Sequence, residues 1–134
     1  MAKIYRTTDK VKYKLGELTV WISPLSLADK AELHQLMSKV EQGDQLALIQ
    51  GSAFAIKSAV KRIEGLTTQD DTPYELEMDG DKLSDQSTDD LMNIDESNKL
   101  ISLCAQLIGG MPKQLPEGVS LVGGDVPLAQ GDLK

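Results

Sequence analysis

A chain of 134 residues with 14 Lys/Arg, 21 Asp/Glu and a net charge of -7 has the length of one domain, able to bury roughly two-thirds of its unfolded surface without metal or disulfide staples. Its single cysteine, Cys104, excludes an internal disulfide and suits a reducing cytoplasm. Residues 1–65 carry 10 Lys/Arg against 7 Asp/Glu and residues 66–134 carry 4 against 14, and the eleven carboxylates from Asp70 to Glu96 meet only Lys82, which makes nucleic acid a poor partner.

That acidic excess reads either as a solvated face that keeps the chain dispersed or as the complement of another copy's basic half. The opening MAKIYRTTDKVKYK is charged where a secretory signal has an apolar core, and no run of about 18 apolar residues follows. A soluble protein, neither exported nor membrane-spanning, is therefore expected.

In chain order, VKYKLGELTVWI (residues 11–22) predicts a hairpin turning near Leu15 to Glu17, with Val11 and Tyr13 on one face and Leu18, Val20 and Ile22 forming a second alternating set. Ser26, followed three residues later by Asp29, predicts a helix start; Leu33, Leu36, Met37 and Val40 carry that helix from Leu27 to about Gln42. Asp44 then caps a second helix. Its stripe of Leu46, Ile49, Ala53, Ile56, Val60 and Ile63 predicts about five turns before Gly65, with Gly51 marking a kink or a close helix crossing.

Beyond the polar loop Thr67 to Pro73, YELEM predicts a short strand that joins the hairpin as a third member, with Asp79 and Gly80 at a turn. A short helix is expected between Leu83 and Ile94, with acids near its positive end, and another from Glu96 to Ile108 with the stripe Leu100, Leu103, Cys104, Leu107 and Ile108. Residues 109–134, with Pro112, Pro116 and Pro127 among glycines and no single apolar period, predict a flexible tail that orders on a partner. The fold class expected is a mainly helical α+β domain over residues 1–108, with an N-terminal hairpin, a third strand and about four helices.

Chemistry is harder to assemble than structure. His34 is the only histidine and sits beside Leu33 and Leu36 as a helix-surface residue, so no nucleophile has a base and no metal has a ligand set. Asp79, Asp81 and Asp85 invite comparison with a calcium loop, but counting from Asp79 puts Leu83 at an oxygen position, Ser84 at the sharp-turn glycine and Asp90 at the closing glutamate. Asp89 and Asp90 point in different directions on a helix, and Gly109 and Gly110 follow a helix where a phosphate loop would precede one. No catalytic, metal or cofactor-binding residue is expected, and the chain reads as a non-enzyme.

Candidate partner contacts are Trp21, Ile56, Lys57 and Lys61. Trp21 is out of phase with Val20 and Ile22, so it either faces away from the core as an interface anchor or packs beneath a helix on the sheet's other face. Lys57 and Lys61, four apart, are expected on one helical side beside Arg62, where they either pair with the acidic segment after Gly65 or meet an acidic partner.

The order of a short hairpin, SPLS before a helix, AIKSAVKRIEGL, then PYELEMDGDKLSD and DDLMNI, resembles the tail assembly chaperones of long-tailed, lambda-like phages. The resemblance runs from about Val11 to Ile108. It implies a small protein of the host cytoplasm that binds the hydrophobic tape measure protein, keeps it soluble while tail tube subunits polymerise around it, and is absent from the finished particle. It also implies self-association along the client and, in many members, a ribosomal frameshift near the end of the frame that adds a domain recruiting tube protein; the ending AQGDLK is where such a slip would fall. The family carries no catalytic residues. The alternative of another class is a structural tail or head-tail joining protein of the phage particle, and a small hydrolase is a third.

Overall fold

The alternation in VKYKLGELTVWI forms the expected hairpin: β1 (Val11–Leu15) and β2 (Leu18–Ile22) pair antiparallel with Leu15 opposite Leu18 in the computed structural model, which describes residues 4–124. Of the two loop residues only Gly16 has a positive φ, +61°, the pattern of a tight turn whose twist matches the strands it joins. This register puts Val11, Tyr13, Leu15, Leu18, Val20 and Ile22 on one face, and all six are buried.

Helix α1 (Leu27–Glu41) begins where Ser26 Oγ accepts from Asp29 N at 3.2 Å, and α2 (Gln45–Ala59) begins where Asp44 Oδ1 accepts from Ala47 N at 3.3 Å. Each cap satisfies one of the amides that a first helical turn leaves without a partner. The two helices cross closely at Gly51. A Cβ there would sit 3.4 Å from Met37 Cε and 3.6 Å from Leu36 Cβ, so the glycine predicted to mark a kink or a crossing marks a crossing.

The second helix is shorter than its apolar stripe predicts. It ends at Ala59, whose carbonyl accepts from Ser23 N at 2.9 Å, and the chain passes directly into β3 (Val60–Glu64), antiparallel to β2. Trp21 pairs with Arg62 and Ile22 with Val60, which leaves Lys61 as the extra residue of a bulge. Val60 and Ile63 therefore both turn inward although they are three apart. A spacing of three on one face is ordinarily a helical signature, and here a strand irregularity produces it. Gly65 does take the left-handed conformation, φ +93°, but it ends a strand: a Cβ would lie 2.4 Å from the Glu17 carbonyl oxygen.

The sheet order is β3-β2-β1-β6, so YELEM is not its third strand. Tyr74 to Glu77 run extended without strand pairing, and only Met78–Asp79 (β4) pairs, with Lys82–Leu83 (β5), around Gly80 and Asp81. The fourth strand, β6 (Val119–Gly124), comes from the stretch expected to be tail; it lies antiparallel to β1 with Val119 opposite Leu15. Val119 is buried among the apolar residues of the sheet's inner face. The rest of that predicted tail, residues 125–134, lies outside the described residues.

Helices α3 (Asp85–Met92) and α4 (Ser97–Ala105), with a 3-10 turn at Gln106–Gly109, fall where their stripes predict. They close the core with Leu91, Leu100, Leu103, Cys104 and Leu107, which join the inner sheet face in one cluster of buried side chains. The α+β class with four α-helices and N-terminal strands is as expected.

Candidate functional site

Helix α2 is apolar on both sides, and only one side is used. The buried side consists mostly of small residues, Ala47, Gly51, Ser52, Ala55, Ser58 and Ala59, with Ile56 as its one large side chain. The opposite side carries Leu46 and Ile49, which are 61% and 59% exposed, and Leu48 adds a half-exposed side chain in the same turns. Small residues let α1 approach α2 closely, as at Gly51, and that approach fixes the rotation of α2. The first half of the predicted stripe, Leu46 and Ile49, is thereby turned toward solvent.

A helix that is apolar all round is normally buried all round. The outer face of α2 is instead open, and following it along the helix from Leu46 and Ile49 leads through half-buried Ala53 to Lys57. At that end α3 runs beside it. Between the two lies a groove of about 530 Å³ lined by Gln50, Ala53, Phe54, Lys57, Asp85 and Thr88, with Asp89 at its side. Lys57 Nζ donates to Asp85 Oδ1. This contact holds the Asp85 carboxyl below the ordinary carboxylate range by hydrogen bond first and charge second. Lys82 Nζ sits 5.8 Å from the Phe54 ring centroid and donates to Asp29 Oδ2 at 2.7 Å, which ties the β4–β5 hairpin to α1 and α2. The surface is thus a hydrophobic strip that ends in a polar, ion-paired groove, a shape suited to an apolar helix lying along α2.

The four residues predicted to touch a partner are not brought together. Ile56 is fully buried in the core and corrects to a packing residue. Lys57 and Lys61 do not share a helical side, because Lys57 ends α2 while Lys61 is the bulged residue of β3, with its Nζ donating to the Asp81 carbonyl. Arg62 pairs with Glu64. The basic cluster is therefore engaged mostly with the acidic segment that follows it in sequence. Trp21 lies on the face of the sheet away from the core. Its ring is half-buried between Lys12 Nζ at 5.1 Å and Arg62 Cζ at 4.8 Å from the centroid, a cation–π sandwich made by its two cross-strand neighbours.

His34 is exposed on α1. Burial pushes the Cys104 thiol up to about 12, so the thiolate that would act as a nucleophile or metal ligand is disfavoured. Among the described residues no three His, Cys, Asp or Glu side chains gather in a way that could hold a metal, and no helix is long and apolar enough to cross a membrane. Comparison with protein-family models, with characterised proteins and with solved structures finds no significant match.

Sequence reasoning missed Leu46 and Ile49 as surface residues because their spacing matched a core stripe. The signal that could have found them is a second stripe of small residues, Ala47, Gly51, Ala55 and Ala59, running beside the first. One helix with both stripes has a close-packing face and a face to spare.

Proposed function

We propose that this chain is a non-catalytic tail assembly chaperone of a long-tailed phage, which holds the apolar helices of the tape measure protein along the outer face of α2 and keeps that client dispersed in the host cytoplasm. The observation that carries the proposal is the solvent-facing set Leu46, Leu48 and Ile49 at the head of the α2–α3 groove. An apolar surface of this kind in a chain of net charge -7 has the two properties a holding protein needs: adhesion to an apolar segment, and repulsion between loaded complexes. The AIKSAVKRIEGL and PYEL segments that carry the family resemblance span the end of α2, β3 and the start of the acidic arm. Several copies seated side by side on one long client would add weak contacts into a stable array, and a frameshifted extension would supply the contact to tube protein.

The test is co-expression with the tape measure protein of the same gene cluster. The intact chain keeps that protein in the soluble fraction, whereas the Leu46→Glu, Ile49→Glu double variant, still helical by circular dichroism, does not. A client equally soluble with and without the chain would end the proposal.

A further inference from the structure

A second surface feature is unrelated to the α2 stripe. Three parts of the chain converge on a polar pocket of about 600 Å³: the N-terminal segment at Thr7, Thr8 and Lys10, the β2–α1 connection through Ser26, and the α2–β3 junction at Ser58 and Lys61. The β4–β5 hairpin closes it with Asp81 and Lys82.

Ser58 is 4% exposed, and among the described residues its Oγ is the one buried side-chain polar atom with no hydrogen-bond partner. A buried hydroxyl left unsatisfied costs about 1–3 kcal/mol, so its persistence at the wall of a polar pocket points to a ligand that it contacts.

The remaining groups define the ligand's charge. Lys82 is neutralised by Asp29 at 2.7 Å, and Lys61 Nζ reaches only the backbone carbonyl of Asp81. Among the described residues neither Lys10 nor Lys61 forms an ion pair with a carboxylate. Ser26, as the α1 cap, accepts from Asp29 N and so keeps its own proton to donate. The first amides of α1, at Leu27 and Ala28, belong to the turn that has no intrahelical acceptor and carries the positive end of the helix dipole. Donors outnumber acceptors on this wall.

We propose that the pocket binds a phosphate-type oxyanion, either inorganic phosphate or the phosphoryl group of a small metabolite, with Lys10 and Lys61 as its counter-charges and the Ser58 and Ser26 hydroxyls as donors. Burial holds Lys61 below the ordinary lysine range, against the partial support of Asp81. An oxyanion beside it would restore the charged form.

The experiment is an NMR titration of the full chain with inorganic phosphate at constant ionic strength, followed at the amides of Ser26, Leu27, Ala28, Ser58 and Lys61, with a parallel titration using glycerol 3-phosphate. Saturable shifts at these positions that sodium chloride does not reproduce support the site. Tighter binding of the phosphate ester assigns it to a phosphorylated metabolite, and equal binding assigns it to the free ion. Lys10→Gln, at an exposed position outside the core, should weaken binding about tenfold, the loss expected for one charge-assisted hydrogen bond. Ser58→Ala should weaken it as well. Linear shifts matched by sodium chloride would overturn the site, as would a Ser58→Ala variant that is simply more stable and binds unchanged.

Discussion

The two long sides of α2 have similar hydrophobicity and opposite fates. The side built from Ala47, Gly51, Ala55 and Ala59 is buried, and the side bearing Leu46 and Ile49 is exposed. What separates them is size: small residues admit a neighbouring backbone, as Gly51 does with Leu36 and Met37 of α1. Apolar area does not by itself decide which face is core. Close approach decides it, and the larger side chains, left over, become a surface that another chain can cover.

Substitutions separate the two sides most sharply at Ile56, the one large residue of the inner face. Ile56→Ala should cost about 3 kcal/mol of folding stability through lost burial and a residual cavity, read as a fall in the urea midpoint at unchanged slope. That is a large part of a domain's typical margin. The outer face should behave in the opposite way. Leu46→Glu with Ile49→Glu should change folding stability by no more than about 0.5 kcal/mol, as exposed substitutions usually do, while abolishing client solubilisation. If the outer pair proved as costly to stability as Ile56, the outer face would have to be core to something within the same chain.

Gly51→Ala tests the crossing itself. The nearest atom to the new methyl, at 3.4 Å, is the terminal Cε of Met37, which can move, and alanine is worth about 1 kcal/mol over glycine inside a helix. A gain of about 0.5 kcal/mol is expected, seen as a higher melting temperature. A loss greater than about 1 kcal/mol would mean that the crossing is already at its closest approach and that neighbouring atoms cannot yield.

These contrasts also mark how far the sequence could be read. The caps at Ser26 and Asp44 are contacts between residues three apart, and the β1–β2 register is set by a two-residue turn; such local features are visible in a string. The α2–β3 boundary was not, because Val60 and Ile63 keep a helical spacing only by virtue of the bulge at Lys61. Nor was β6, whose partner strand lies at the other end of the chain and whose Gly123 and Gly124 give no alternation. At the candidate surface, residue type was legible and direction was not. Lys57, Lys61 and Trp21 were recognised as chemically distinctive, but which neighbours they meet depends on the bulge and on the return of the acidic arm.

The smallest expected effect is electrostatic and lies where the outer face of α2 meets α3. Asp85 is fully exposed apart from its contact with Lys57, which lowers its pKa from the ordinary value. A carboxyl whose folded-state pKa is depressed adds stability above its unfolded pKa, and that contribution is lost as pH falls through the folded value. The acid limb of the stability profile should therefore shift slightly when Lys57 is replaced by Met, with the Asp85 carboxyl carbon titrating back in the ordinary range by NMR. Because both groups meet water, salt at about 1 M should produce nearly the same change without any substitution. A titration that stayed low in Lys57→Met would assign the shift to the N-terminal end of α3, where Asp85 is the first residue, and would leave Lys57 free to meet a client's carboxylates at the end of the apolar strip.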